Sequence, residues 1–87
     1  MCAPGALADH NADAAIRWAQ SAVAHASRID SLEVRADATL DLARILEAAG
    51  REDDADSDAR VALELYAAKG HRPGIDEARR LLAELEA

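Results

Sequence analysis

Large aromatic side chains are nearly missing from this sequence of 87 residues, which contains no Phe, one Trp and one Tyr. Alanine, the residue with the highest helix propensity, supplies 23 of the residues instead. This shortage excludes a thick core and predicts helices held together by many small contacts, because a chain of this length buries only about 60–65% of its unfolded surface. The larger apolar residues expected to anchor that core are Ile16, Leu40, Leu42, Ile45, Leu46, Val61, Leu65, Leu81, Leu82 and Leu85.

Cysteine and long apolar runs are also scarce. Cys2 is the only cysteine, which excludes an internal disulfide and fits a reducing compartment. No apolar run approaches the ~20 residues of a transmembrane helix. The N-terminal residues lack the basic flank and long apolar stretch of a secretory signal. We therefore expect a cytoplasmic protein.

Basic residues are outnumbered by acidic ones, and the formal net charge is −7. A chain of this charge repels the phosphates of nucleic acids. It repels anionic membrane surfaces for the same reason. We therefore expect neither nucleic acid nor a membrane as the partner.

The apolar periodicity predicts helices over residues 11–28, 32–49 and 52–69, and a fourth that begins near Pro73. Gly50 and Gly70 stand where a left-handed residue would end the second and third helices. Asp30 or Ser31 is the expected cap of the second helix. Residues 1–10 are expected to be poorly ordered, and residues 11–87 to form one helical domain.

The chain repeats itself after a shift of 40 residues. In the first and third helices, the shift places alanine on alanine three times, starting with Ala15 on Ala55, and Val23 on Leu63. In the second and fourth helices it places Leu42 on Leu82, and further apolar pairs follow. Repeats of this length are typical of stacked helix pairs, in which each pair buries its apolar face against a neighbour.

The stretch over residues 42–62 resembles a tetratricopeptide repeat. Leu42-Ala43 stands at the Leu-Gly pair of that family, Leu46 at its Tyr, and Ala55 and Ala62 at its two close-packing positions. Ala59 replaces the usual aromatic residue, and Ala67 the closing Pro. The resemblance covers residues 11–86. This stretch is similar to the C-terminal repeats of large actinobacterial ATPase, cyclase and transcriptional regulators. It implies an all-α fold of about four helices in antiparallel helix-turn-helix repeats.

The same resemblance implies that the first helix of each pair lines a groove that binds a protein or peptide. Transferred position by position, the groove residues are Asp37, Leu40, Arg44, Glu47, Ala48, Glu77, Arg80 and Glu84. A solvated helix face explains these residues equally well. The set is mixed in charge, so a free C-terminal carboxylate is not the expected ligand.

No residue pattern predicts catalysis, a cofactor or a metal site. Asp54, Asp56 and Asp58 imitate the start of a calcium loop, but Ala59 and Leu65 stand where that loop needs Gly and Glu. The three His residues and the single Cys lack the spacing of zinc ligands.

In the alignment with the tetratricopeptide repeat, the predicted first helix, residues 11–28, is the second helix of a pair whose first helix is missing. We therefore predict that Ile16, Trp18, Ala19 and Val23 form an uncovered surface, which packs against a second copy in a homodimer or against an upstream domain of a parent protein. Burial of Trp18 at the edge of the core is the favoured alternative. Three hypotheses follow: a protein-interaction scaffold, a regulatory or oligomerisation tail of a larger protein, and, least favoured, a helical enzyme or metal-binding bundle.

Overall fold

The computed structural model describes the backbone of residues 4–86 and the side chains of residues 12–86. Within residues 4–86 the chain forms four α-helices and no strand, so the predicted all-α fold of four helices is confirmed. The helices are α1 (Pro4–Ala26), α2 (Leu32–Ala48), α3 (Glu52–Lys69) and α4 (Arg72–Glu86).

The first helix begins earlier than predicted. It starts at Pro4 rather than at residue 11, and proline suits the first turn of a helix because that turn needs no backbone N–H donor. Residues 4–10, expected to be poorly ordered, therefore lie in α1. Residues 1–3 of that segment lie outside the described residues.

Two helices end in the same hydrogen-bonded motif, at the glycines identified from the sequence. Gly50 and Gly70 have φ angles of 81° and 77°, a left-handed conformation that costs glycine little. After α2, the N–H of Arg51 donates to the Leu46 carbonyl at 2.9 Å. After α3, the N–H of His71 donates to the Tyr66 carbonyl at 3.0 Å. Both bonds engage carbonyls near the C-terminal ends of the helices, and the Tyr66 carbonyl also accepts from the Gly70 N–H at 2.8 Å.

The helices form an open array rather than a closed bundle. Consecutive helices pack against each other across short connections, and α2 also contacts α4. Consecutive helices are therefore antiparallel, which makes α2 and α4 parallel neighbours. The radius of gyration is 13.6 Å, larger than the ~12 Å of a compact domain of this length.

The core consists of alanine contacts around a few larger side chains. Ala43, Ala59 and Ala78 are 0% exposed, and such small side chains let helix backbones approach closely. The close-packing positions Ala55 and Ala62 are also 0% exposed, as predicted. One cluster joins α2, α3 and α4 and contains Ala36, Leu40, Ala43, Ala59, Ala62, Tyr66, Ala78, Leu81 and Leu82. A second joins α1 to α2 and α3 and contains Ile16, Ala19, Leu42, Leu46 and Ala55.

Val61 does not belong to the core. Its side chain is 45% exposed on α3, so the prediction that it anchors the core is wrong. Val34, which the periodicity of α2 places on the apolar face, is likewise 42% exposed. Both residues lie at the margin of an apolar stripe, on a side that no described helix covers.

Candidate partner-binding groove

A groove runs between the parallel helices α2 and α4. Its volume is about 350 Å³, at the lower end of the range for ligand pockets. Charged side chains from both helices surround one apolar residue at the base, Leu81, which is 4% exposed. The lining residues are Arg44 and Glu47 of α2, and Glu77, Arg80, Leu81 and Glu84 of α4.

Five of the eight residues assigned to the groove from the sequence line it, all of them charged. The other three do not. Leu40 lies in the core at 4% exposure, because the side of α2 that bears it faces α3 and α4. Ala48 is exposed outside the lining. Asp37 accepts a hydrogen bond from the Tyr66 hydroxyl and does not line the groove.

Leu81 is the groove residue that the sequence analysis left out. It had been assigned to the core, where it also belongs. Its spacing from Glu77 and Glu84, at i+4 and i−3, places it on their helix face. That spacing was the available signal for its place in the groove.

An ion pair joins the two walls of the groove. Arg44 Nη2 lies 2.7 Å from Glu77 Oε2, with both side chains about half exposed. An exposed pair of this kind contributes only about 0–1 kcal/mol to stability, so its main effect is to position the two side chains. Arg80 has no ion-pair partner within the described part of the chain.

One end of the groove is acidic. Glu47 and Glu84 lie in the last turns of α2 and α4, and neither turn carries a basic residue. Since α2 and α4 are parallel, the negative ends of both helix dipoles lie at that same end. The carboxylates and the dipoles together favour a cationic group there.

Tyr66 belongs to the same core cluster as Leu81, the apolar residue of the groove lining. Its hydroxyl donates a hydrogen bond to Asp37 of α2, and its ring stacks on that of His71 with centroids 5.5 Å apart. The residue is 3% exposed. Burial, and secondly the hydrogen bond to Asp37, raise the pKa of Tyr66 above its ordinary value.

Alkaline pH is therefore expected to unfold the protein as its one tyrosine ionises. Below pH ~10 the phenol is protonated in both the folded and the unfolded chain, and the stabilisation is complete. Above that pH the unfolded chain loses the proton first, so the free energy of unfolding falls as pH rises. Tyrosinate absorbance and helical circular dichroism should change together, and Tyr66→Phe should weaken the pH dependence. Ionisation near pH 10 with full helix content would contradict this expectation.

The predicted self-association residues do not share one surface. Ile16 and Ala19 are 5% and 2% exposed, and Val23 is half-buried against the same cluster. The prediction that these three form an uncovered face is wrong, because their side of α1 packs on α2 and α3. Trp18 lies on another side of α1 and is 74% exposed, so its expected burial at the core edge is also wrong.

The three aspartates that resemble a calcium loop lie on continuous helix in α3. Asp54 pairs with Arg51 at 3.1 Å, and Asp56 pairs with Arg60 at 2.9 Å. Burial, and secondly the neighbouring Asp54, raise the pKa of Asp58 above its ordinary value. Within the described residues, no three His, Cys, Asp or Glu side chains converge on a point that could hold a metal ion.

None of the described helices combines the length and apolar character needed to cross a membrane. Comparison of the chain with family models, with curated proteins and with solved structures finds no match.

Proposed function

We propose that this chain is a non-catalytic protein-interaction module of the tetratricopeptide type, which binds a segment of a partner protein between α2 and α4. The observation that carries the proposal is the groove itself. Five charged residues chosen from the family register surround one cavity, with Leu81 at its base. A solvated helix face would not require these residues to converge.

The lining indicates what kind of segment would fit. Leu81 offers an apolar contact at the base of the groove. Glu47 and Glu84 favour a basic side chain at the end where the two helix dipoles are negative. We therefore expect a segment with an apolar anchor followed by lysine or arginine. Electrostatic complementarity of this kind contributes mainly to specificity and to the association rate.

Selection from a random peptide library displayed on phage tests the proposal. Peptides that bind the folded chain should share an apolar residue close to a basic one. The charge reversal Glu84→Lys should weaken their binding by about tenfold or more, because it replaces attraction with repulsion at the acidic end.

Glu64→Lys is the matched control. Glu64 is an exposed glutamate on α3 outside the groove lining, and its reversal changes the net charge by the same amount. Binding should stay within about twofold of the unmodified chain, since distant exposed charges are largely screened. Equal losses in the two variants would show that the peptides respond to overall charge, and the groove would not be the binding site.

A further inference from the structure

One side of the α1–α2 hairpin carries uncharged residues that no described helix covers completely. Trp18 and Val34 are 74% and 42% exposed, and the other four are half-buried. We call these uncharged residues the end face, and they are Ala15, Trp18 and Ala22 of α1, and Val34, Ala38 and Ile45 of α2. The exposed Asp41 borders them on α2, three residues after Ala38 and four before Ile45.

The repeat of 40 residues shows what this side of a hairpin does. Three alanines of the second hairpin, Ala55, Ala62 and Ala78, each stand 40 residues after an alanine of the end face. All three are 0% exposed in clusters shared with the first hairpin. The second hairpin therefore docks on the first through the positions that, in the first hairpin, form the end face.

The position equivalent to Trp18 supports the same conclusion. It is Asp58 of α3, which lines a cavity of about 280 Å³ together with Gln20 of α1. This side of α3 therefore faces α1, which is the equivalent helix of the first hairpin. By the same geometry, Trp18 of α1 points to the place that the equivalent helix of a preceding hairpin would occupy.

The opposite end of the array is charged. In the first hairpin, Ile16, Ala36 and Leu40 are buried at 5%, 0% and 4% exposure, and they face the second hairpin. The residues 40 positions later are Asp56, Asp76 and Arg80. An end face packed against that surface would remove these charged groups from water, including Asp56 with its partner Arg60, and the cost of desolvation can exceed the attraction within such a pair. Head-to-tail stacking of copies is therefore disfavoured.

We propose that the end face is a homodimer interface, in which two copies of this chain pack end face against end face around a twofold axis. A twofold contact brings a surface patch against its own copy, so each largely apolar end meets an identical, largely apolar surface. The charged surface with Asp56, Asp76 and Arg80 faces away from the contact in both copies. The association closes at two chains.

The available area fits a weak dimer. Two helices side by side, about 25 Å long and 10 Å wide each, give a face of roughly 500 Å². Two such faces bury about 1,000 Å², near the lower limit of specific interfaces. Each chain carries a net charge of −7, and Asp41 borders the end face, so the two copies repel each other electrostatically. Added salt screens this repulsion and should strengthen the dimer.

Sedimentation velocity and Trp18 fluorescence, followed from low micromolar to millimolar concentration, test the proposal. The mass should double once, and the emission of the only tryptophan should shift to shorter wavelength over the same concentration range.

Val34→Glu should weaken the dimer by about tenfold or more, because it places a charge in the apolar contact. The helix itself should tolerate this change. Ser31 caps α2 by accepting a hydrogen bond from the Val34 N–H at 3.3 Å, and glutamate is favoured at that position of a capped helix.

Val61→Glu is the matched control, since Val61 is another helical valine with 45% exposure and lies outside the end face. It should leave the dissociation constant within about twofold of the unmodified chain. Circular dichroism should show both variants folded. A chain that stays monomeric with unchanged Trp18 emission would overturn the proposal and leave the end face to another polypeptide segment. Growth beyond two chains, or equal effects of the two substitutions, would also overturn it.

Discussion

Replacing Tyr66 with alanine is expected to lower the free energy of unfolding by about 3–5 kcal/mol. Folded chains of this length are stable by only about 4–13 kcal/mol, so much of the protein should be unfolded at moderate temperature. The physical reason is the position of the ring. It is 3% exposed in the cluster that joins α2, α3 and α4, and the surrounding alanines are too short to fill the space that it would leave.

Tyr66→Phe separates the ring from its hydroxyl group. This variant keeps the packing and loses only the hydrogen bond to Asp37, whose exposed carboxylate can bind water instead. We expect a cost of about 0.5–1.5 kcal/mol, measured by urea denaturation followed by circular dichroism. A phenylalanine variant as unstable as the alanine variant would show that the hydrogen bond, and not the buried ring, provides the stability.

The second large effect is expected from Gly74→Ala, although alanine normally stabilises a helix. A Cβ atom at this position of α4 would lie 2.2 Å from Cδ1 and 2.3 Å from Cε1 of Tyr66. The ring cannot move away freely, because it packs on several helices and its hydroxyl is bonded to Asp37. Overpacking of this kind costs about 1–3 kcal/mol, and we expect the upper part of that range, even after the gain of up to about 1 kcal/mol in helix propensity.

A double-mutant cycle isolates the contact between Gly74 and Tyr66. In a chain that already carries Tyr66→Ala, the obstructing ring is absent, so Gly74→Ala should be neutral or stabilising. The difference between the two backgrounds, measured by urea denaturation, is expected to be about 2–3 kcal/mol, typical of residues in direct contact. An identical cost in both backgrounds would place the strain elsewhere in α4.

Local signals in the sequence were sufficient for the C-terminal ends of α2 and α3, but they did not place the start of α1 at Pro4. Gly50 and Gly70 end α2 and α3 because a left-handed residue is needed there, which depends only on neighbouring backbone. The charged groove residues follow from the tetratricopeptide resemblance, transferred position by position. Information of this kind is contained within a few turns of the chain.

The contacts that depend on distant segments could not be predicted in the same way. The periodicity places Trp18 and Val61 beside apolar stripes, but it does not say whether another helix covers them. Gly74 lies in the first turn of α4 against Tyr66, a contact that the helix pattern alone does not indicate. The repeat does contain a trace of this contact. The equivalents of Tyr66 and Gly74 are Ala26 and Val34, so the larger residue of the pair changes sides between the two hairpins.

The attachment of α1 has a consequence for how the native chain opens. The backbone of α1 approaches α2 alone, and its cluster with α2 and α3 contains no aromatic ring. Release of α1 would therefore break the smaller cluster and leave Tyr66 and its surroundings folded. Openings of this local kind require less free energy than complete unfolding and so occur more often. Proteolysis and amide exchange in α1 should accordingly proceed through such openings, at rates that are independent of the stability of α3 and α4.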